Sequence, residues 1–277
     1  MLILASPNLW FFTQKYIFNM EKKKPLILVT NDDGMFAPGI KHLIRVAKQH
    51  GDIVVVAPDS PQSGKGHAIT IDEPLRLNKV EVADGVHAYE CNGTPVDCVK
   101  LAKHVLLKDR QPDLCVSGIN HGSNASINII YSGTLSAAME ASLEGIPSIG
   151  FSLLNYSFEA DFEFCLSQIS KIIEFALNNS FGDSKLLNVN IPYVPESGLK
   201  GIKVCRQSNA RWEEEFLESK DPRDRPYYWL TGKFVLEDKG EDHDLHALEQ
   251  GYISVVPSMH DLTHYDALSA IQKMEEL

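Results

Sequence analysis

Five short apolar runs recur along this chain, PLILVTN, DIVVVAPD, PDLCVSGIN, PSIGFSL and LLNVNIP, and between them lie segments with helical spacing. Runs of this length that lack polar alternation suit strands buried on both faces, which occur where helices cover both sides of a parallel sheet. PGIKHLIRVAKQHG places Ile40, Leu43, Ile44 and Ala47 on one helical face and stops at Gly51. TPVDCVKLAKHVLLK offers Thr94 as N-cap with Pro95 at the first helical position. GTLSAAMEASLEGIP is rich in good helix formers and closes on Gly145 and Pro147, and FEFCLSQISKIIEFALNN continues the alternation. The pattern predicts a doubly wound α/β fold with a mostly parallel sheet, whose ligands bind at the loops leaving the carboxyl ends of the strands.

Beyond about residue 200 the pattern changes. RPYYWLTGKFVLE reads as a hairpin or arm, GYISVVP as a strand and YDALSAIQKMEEL as a terminal helix. The expected organisation is an α/β core over residues 20–200, followed by a C-terminal arm, strand and helix over 201–277 that complete the core and an oligomer. Residues 1–19 are apolar and aromatic, without a basic segment ahead of them, and Pro7, Asn8, Gln14 and Lys15 break any membrane-length span. They are expected to be an extension outside the fold, with Met20 as the natural start. The five cysteines form no C-x-x-C pair and their number is odd, so they are expected in the core of a cytoplasmic protein. A net charge of −11 argues against binding a nucleic-acid polymer.

Four loops are expected on one edge of the sheet. The first holds Asp32 and Asp33, followed by Gly34. Neighbouring strand residues point to opposite faces, so both carboxylates reach one point only if the chain turns there. A divalent cation between them would relieve their repulsion. A solvated acidic turn is the ordinary alternative. The second loop, APDSPQSGKGHAIT, supplies Ser63 and Gly64, with Lys65 and His67 nearby. The third, SGINHGSN, supplies Asn120 directly past a strand. Two carboxylates, a hydroxyl and an amide oxygen form an all-oxygen set suited to Mg²⁺, Mn²⁺ or Ca²⁺ rather than structural zinc. The fourth, YSGTLSAAMEA, places Ser132, Gly133 and Thr134 where a helix begins, a ready site for phosphate; ordinary N-capping is the competing account. His243 with His246, and His260 with His264, have ligand-like spacing but lie in a polar stretch without partners, and are expected to be solvated.

TNDDGMFAPGI, VVAPDSPQSGKGHAIT, CNGTPVDCV, PDLCVSGINHGSN and YSGTLSAAMEA together resemble the SurE survival-protein family over roughly residues 25 to 265. That resemblance implies a Rossmann-like core and a metal-dependent 5′-nucleotidase acting on nucleoside monophosphates, with short polyphosphate as a further substrate class. It implies one divalent cation per subunit, Mg²⁺ or Mn²⁺, with Ca²⁺ able to bind without supporting turnover. The family's ligands carry over to Asp32, Asp33, Ser63 and Asn120. Asp32 and Asp33 become the catalytic pair, and Gly64, Asn120, Ser132, Gly133 and Thr134 the phosphate contacts. The C-terminal arm would exchange between subunits of a homodimer or homotetramer, with no membrane partner. Met35 and Phe36 depart from the family pattern, which often has a histidine just after N-D-D-G-x. The rival readings are a receiver-like signalling protein with Asp59 as phosphate acceptor, an aspartyl-phosphate phosphatase, for which Gly34 stands where an acid/base aspartate is wanted, and a nucleotide-binding protein without turnover.

Overall fold

The computed structural model describes residues 24–194 and 196–277, so the expected extension over 1–19 lies outside the described residues. Among the described residues nine strands form one sheet. In chain order the elements of the first half are β1 (Leu26–Thr30), α1 (Pro38–Ala47), β2 (Asp52–Pro58), β3 (Leu77–Val80), β4 (His87–Cys91), α2 (Pro95–Leu101), β5 (Leu114–His121) and α3 (Gly133–Leu143). There follow β6 (Ser148–Leu153), α4 (Leu166–Asn178), β7 (Leu186–Ile191), β8 (Ile202–Val204), β9 (Ala210–Lys220), β10 (Pro226–Leu236), α5 (Asp244–Glu249), β11 (Ile253–Ser258) and α6 (Leu268–Ile271). The sheet order is β3-β4-β2-β1-β5-β6-β7-β11-β8, parallel from β4 through β7.

All five residues of β1 are buried, and its alternation divides them between two layers. Ile27 and Val29 pack with Leu43 and Ile44 of α1 and Ile169 and Ile173 of α4. Leu26 and Leu28 pack on the other face with Cys98 and Val99 of α2 and Ala137 and Ala141 of α3. Each fully buried Leu or Ile contributes roughly 1.5–3 kcal/mol, which makes β1 the spine of both cores. The chain runs outward from β1 to β2 and β4, then returns across β1 to begin β5. The order therefore reverses between β1 and β5, and a crevice opens at their carboxyl ends.

Thr94 caps α2 as expected: its side chain accepts from Asp97 N, while the Asp97 carboxylate accepts from Thr94 N at 2.9 Å. Four of the cysteines are buried, and all five are free thiols. The strand expected in GYISVVP is β11, which joins the main sheet antiparallel to β7. Sequence pattern did not foresee β3 and β4, an antiparallel pair at the sheet edge whose four- and five-residue strands alternate too weakly to stand out. The expected terminal helix is also corrected. It breaks into two 3₁₀ turns flanking the four-residue α6, none of it buried, and short helices without a packed face gain little from propensity alone.

The hairpin β9–β10 stands apart from the sheet as an antiparallel ribbon of eleven-residue strands. Phe216, Leu217, Trp229 and Leu230 are each more than half exposed on it.

Candidate active site

The turn after β1 is built by backbone. Gly34 adopts φ 102°, a conformation that costs a residue with a Cβ far more than glycine. The Asn31 side chain donates to Gly34 O at 2.9 Å, Met35 N donates to Pro58 O at 2.8 Å, and Gln62 N donates to Asp32 O at 2.8 Å. The acidic turn is thereby bound to the loop that carries Ser63 and Gly64. Met35 is a core side chain and Phe36 is exposed.

Asp32 is buried at the amino end of α3. The Thr134 hydroxyl and backbone N–H both point at its carboxylate. Gly133 lies against it so closely that a Cβ there would come within 2.7 Å of Asp32 Cβ and 2.9 Å of Oδ2. Burial, reinforced by the charge of Asp33, raises the Asp32 pKa from 3.8 to about 6 against the hydrogen bonds from Thr134. Asp33 turns the other way. Its Oδ2 lies 3.0 Å from His121 Nδ1 and accepts from His121 N at 3.3 Å. The His121 ring packs edge-on to Phe162 at 5.2 Å and tilted against Phe158 at 5.4 Å.

Asn120 lies within the last residues of β5 rather than past the strand. The pairing of β5 with β6 shifts between Ser117 and Asn120, and irregularities of this kind re-aim side chains at sheet ends. Gly39 lets α1 press on this point, since a Cβ there would meet Ile119 O at 1.9 Å. Asn120 Nδ2 donates to Gly122 O at 2.9 Å. That bond fixes the amide and leaves Oδ1 as its acceptor end.

A cavity of about 270 Å³ brings together Asp32, Ser63, Gly64, Asn120 and Ser132, five of the eight residues proposed from sequence. Asp33 abuts it through His121. Gly133 and Thr134 are packed against Asp32 instead of facing the cavity. The Ser132 hydroxyl also caps α3, accepting from Leu135 N at 3.0 Å, so the capping and cavity-facing accounts hold at once. The donors that converge here are oxygen atoms, and a buried carboxylate with a second carboxylate close by lacks a compensating cation among the described side chains. That donor set fits a hard divalent ion.

Several features had no sequence signal or were misjudged. His121 sat unremarked inside SGINHGSN. Tyr156, Asn128 and Trp212 line the cavity and belong to no motif. His67, which the sequence places only near the Ser63 loop, is 2.9 Å from Glu140, a nearly buried side chain that Lys100 also contacts. This cluster ties the Ser63 loop to α2 and α3. His243, expected to be solvated, is buried and caps α5 by accepting from His246 N at 3.1 Å. Next to it the buried carboxylate of Asp244 accepts from Ser126 N at 2.8 Å and Ser208 N at 3.0 Å. The C-terminal region thus holds the cavity wall after β5. Among the described residues no three His, Cys, Asp or Glu side chains gather as a metal cluster, and no helix is long and apolar enough to cross a membrane.

The family model described as survival protein SurE matches residues 27–214. The 5′-nucleotidase SurE of Christiangramia forsetii is 60% identical over 246 residues, covering 88% of this chain and 94% of that protein. The protein of the same name from Flavobacterium psychrophilum is 58% identical over 253 residues, covering 91% and 98%. The crystal structure of the SurE protein from Aquifex aeolicus superimposes with a TM-score of 0.79 at 40% identity, covering 91% of this chain and all of that one.

Proposed function

Because the chain belongs to the SurE survival-protein family, we infer that it is a 5′-nucleotidase, a phosphoric monoester hydrolase that converts nucleoside monophosphates to nucleoside and phosphate. One observation carries the reading to the site: Asp32, Ser63, Asn120 and Ser132 come from four separate segments and line a single cavity at the β1/β5 switch point. We propose Asp32, Asp33, Ser63 and Asn120 as ligands of one Mg²⁺ or Mn²⁺ per subunit. When bound, such an ion polarises a phosphoryl oxygen and lowers the pKa of water at the site.

The chain's own groups supply the rest. Asp32 orients the attacking water and takes up its proton, while Asp33 serves mainly as a ligand. The Asn120 amide, the Gly64 backbone and the Ser132 hydroxyl hold phosphoryl oxygens and offset their charge as the transition state forms. The hydroxyl and N–H of Thr134, with Gly133 behind them, set the position of Asp32. His121 does the same for Asp33.

The exposed ribbon β9–β10 supports a homodimer or homotetramer, since an isolated two-stranded hairpin is marginal in water and its apolar side chains need a covering surface. Light scattering on Trp229→Asp would detect the loss of assembly. The free thiols support a cytoplasmic location.

Phosphate release from a panel of nucleoside monophosphates and short polyphosphate, with Mg²⁺, Mn²⁺ or chelator, tests the enzyme. Release that requires the ion and falls by several orders of magnitude in Asp32→Ala is expected. Release that is indifferent to both would remove Asp32 from the chemistry.

A further inference from the structure

The cavity has a polar floor and an aromatic rim. Its floor is Asp32, Asn120 and Ser132, with the exposed Ser63 beside them; the exposed aromatics that line it include Tyr156, from the segment after β6, and Trp212, at the base of the β9–β10 ribbon. Tyr156 is 74% exposed and Trp212 is 40% exposed, so core packing accounts for neither. Large aromatics left in water at the mouth of a polar cavity forgo burial that would otherwise favour the fold.

Both rings are held in place. Tyr156 lies on the backbone of Gly122, where a Cβ would come within 2.3 Å of Cε1 and 2.9 Å of Cζ. Only glycine admits the ring at that spot. Trp212 donates from Nε1 to Asn128 Oδ1 at 2.9 Å, and its ring meets Phe234 edge-on at 5.2 Å. Asn128 is itself anchored in the segment after β5 that Asp244 secures. Each aromatic is therefore aimed by contacts outside the hydrophobic core.

We propose that Tyr156 and Trp212 form the nucleobase subsite, with the base stacked on an exposed aromatic face while the phosphate occupies the polar floor. The proposal rests on the 5′-nucleotidase reading and adds the residues that distinguish a nucleotide from other phosphomonoesters. The Asn128 carbonyl is committed to Trp212, which leaves only its amide N–H groups to address a base edge. Stacking therefore dominates recognition. Since every base has a π-face, the preference among bases is modest, and the larger purines are favoured.

The test measures kcat/KM for AMP, CMP and ribose 5-phosphate, which lacks a base, in wild type, Tyr156→Ala, Tyr156→Phe and Trp212→Ala. Loss of one stacking surface should lower the ratio of AMP to ribose 5-phosphate kcat/KM roughly 10-fold in either alanine variant, chiefly through KM for AMP. Tyr156→Phe keeps the ring and should keep the ratio. A ratio unchanged in both alanine variants overturns the proposal, as does an equal loss on both substrates, which would mark the rings as structural supports. Wild-type enzyme that releases phosphate from no nucleoside monophosphate overturns the nucleotidase reading and the subsite together. That outcome is separate from an active wild type whose alanine variants fail to discriminate.

Discussion

Replacing Asp32 by Asn should stabilise the protein while abolishing its chemistry. The buried carboxylate has its pKa raised from 3.8 to about 6 by desolvation and by Asp33. A folded-state pKa above the unfolded one means that the native state binds more protons between those values. Stability without metal therefore falls as pH climbs from about 4 to about 6, and stays reduced above that window. The distance between the two values corresponds to about 3 kcal/mol. Asn is neutral at every pH, and its Oδ1 can still accept from Thr134. In chelator at pH 7.5, Asp32→Asn should thus be more stable by up to about 3 kcal/mol, a rise in Tm of about 6–10 °C for a chain of this size. At pH 4 the advantage should vanish. Adding Mn²⁺ at about 100 times its Kd should return about 2.7 kcal/mol to wild type and nothing to the variant. Thermal unfolding at both pH values, with and without Mn²⁺, measures all of this. A variant no more stable than wild type at pH 7.5 in chelator would refute the reasoning, and so would a gap of equal size at pH 4.

Three further outcomes follow from neighbouring contacts. His121→Leu removes the side-chain partner of Asp33 while keeping bulk between Phe158 and Phe162, so Mn²⁺ affinity measured by calorimetry should fall about 10- to 100-fold, with His121→Asn losing less. Gly133→Val forces a side chain against Asp32 and should cost about 1–3 kcal/mol of stability along with metal binding; Gly133→Val with wild-type Mn²⁺ affinity would show that the close approach is unimportant. Glu140→Ala strips His67 and Lys100 of their shared partner and should destabilise by about 1–3 kcal/mol in urea unfolding at pH 7. The Glu140 pKa is lowered, first by His67 and then by Lys100, so its contribution is complete above the ordinary carboxylate pKa and is lost as pH falls through the lowered one. The penalty in Glu140→Ala should accordingly shrink in acid.

Some of this protein was legible in its chain because the deciding physics is local. A run such as LILVT between turn signals has little choice but to be a strand covered on both faces. Thr94, Pro95 and Asp97 carry a complete helix start within four residues. Asp32, Asp33 and Gly34 announce a turn that concentrates negative charge, which the sequence leaves open between a bound cation and solvation. The hidden features depend on groups far apart in sequence. His121 meets Asp33 across 88 positions and Trp212 meets Asn128 across 84. His243 reads as a polar loop residue until the fold buries it as the cap of α5, bridged to Arg206. Short edge strands such as β3 and β4 acquire their identity from a partner rather than from their own pattern. Sequence by itself determined the buried central strands, the start of α2 and a short set of candidate site residues, because propensity, capping and turn geometry act within a few residues. Tertiary structure alone decided which of those residues share a cavity, which are turned inward to hold Asp32 and Asp33, and which aromatics stand at its mouth. Those outcomes depend on sheet order and close backbone approach, and neither has a signature along the chain.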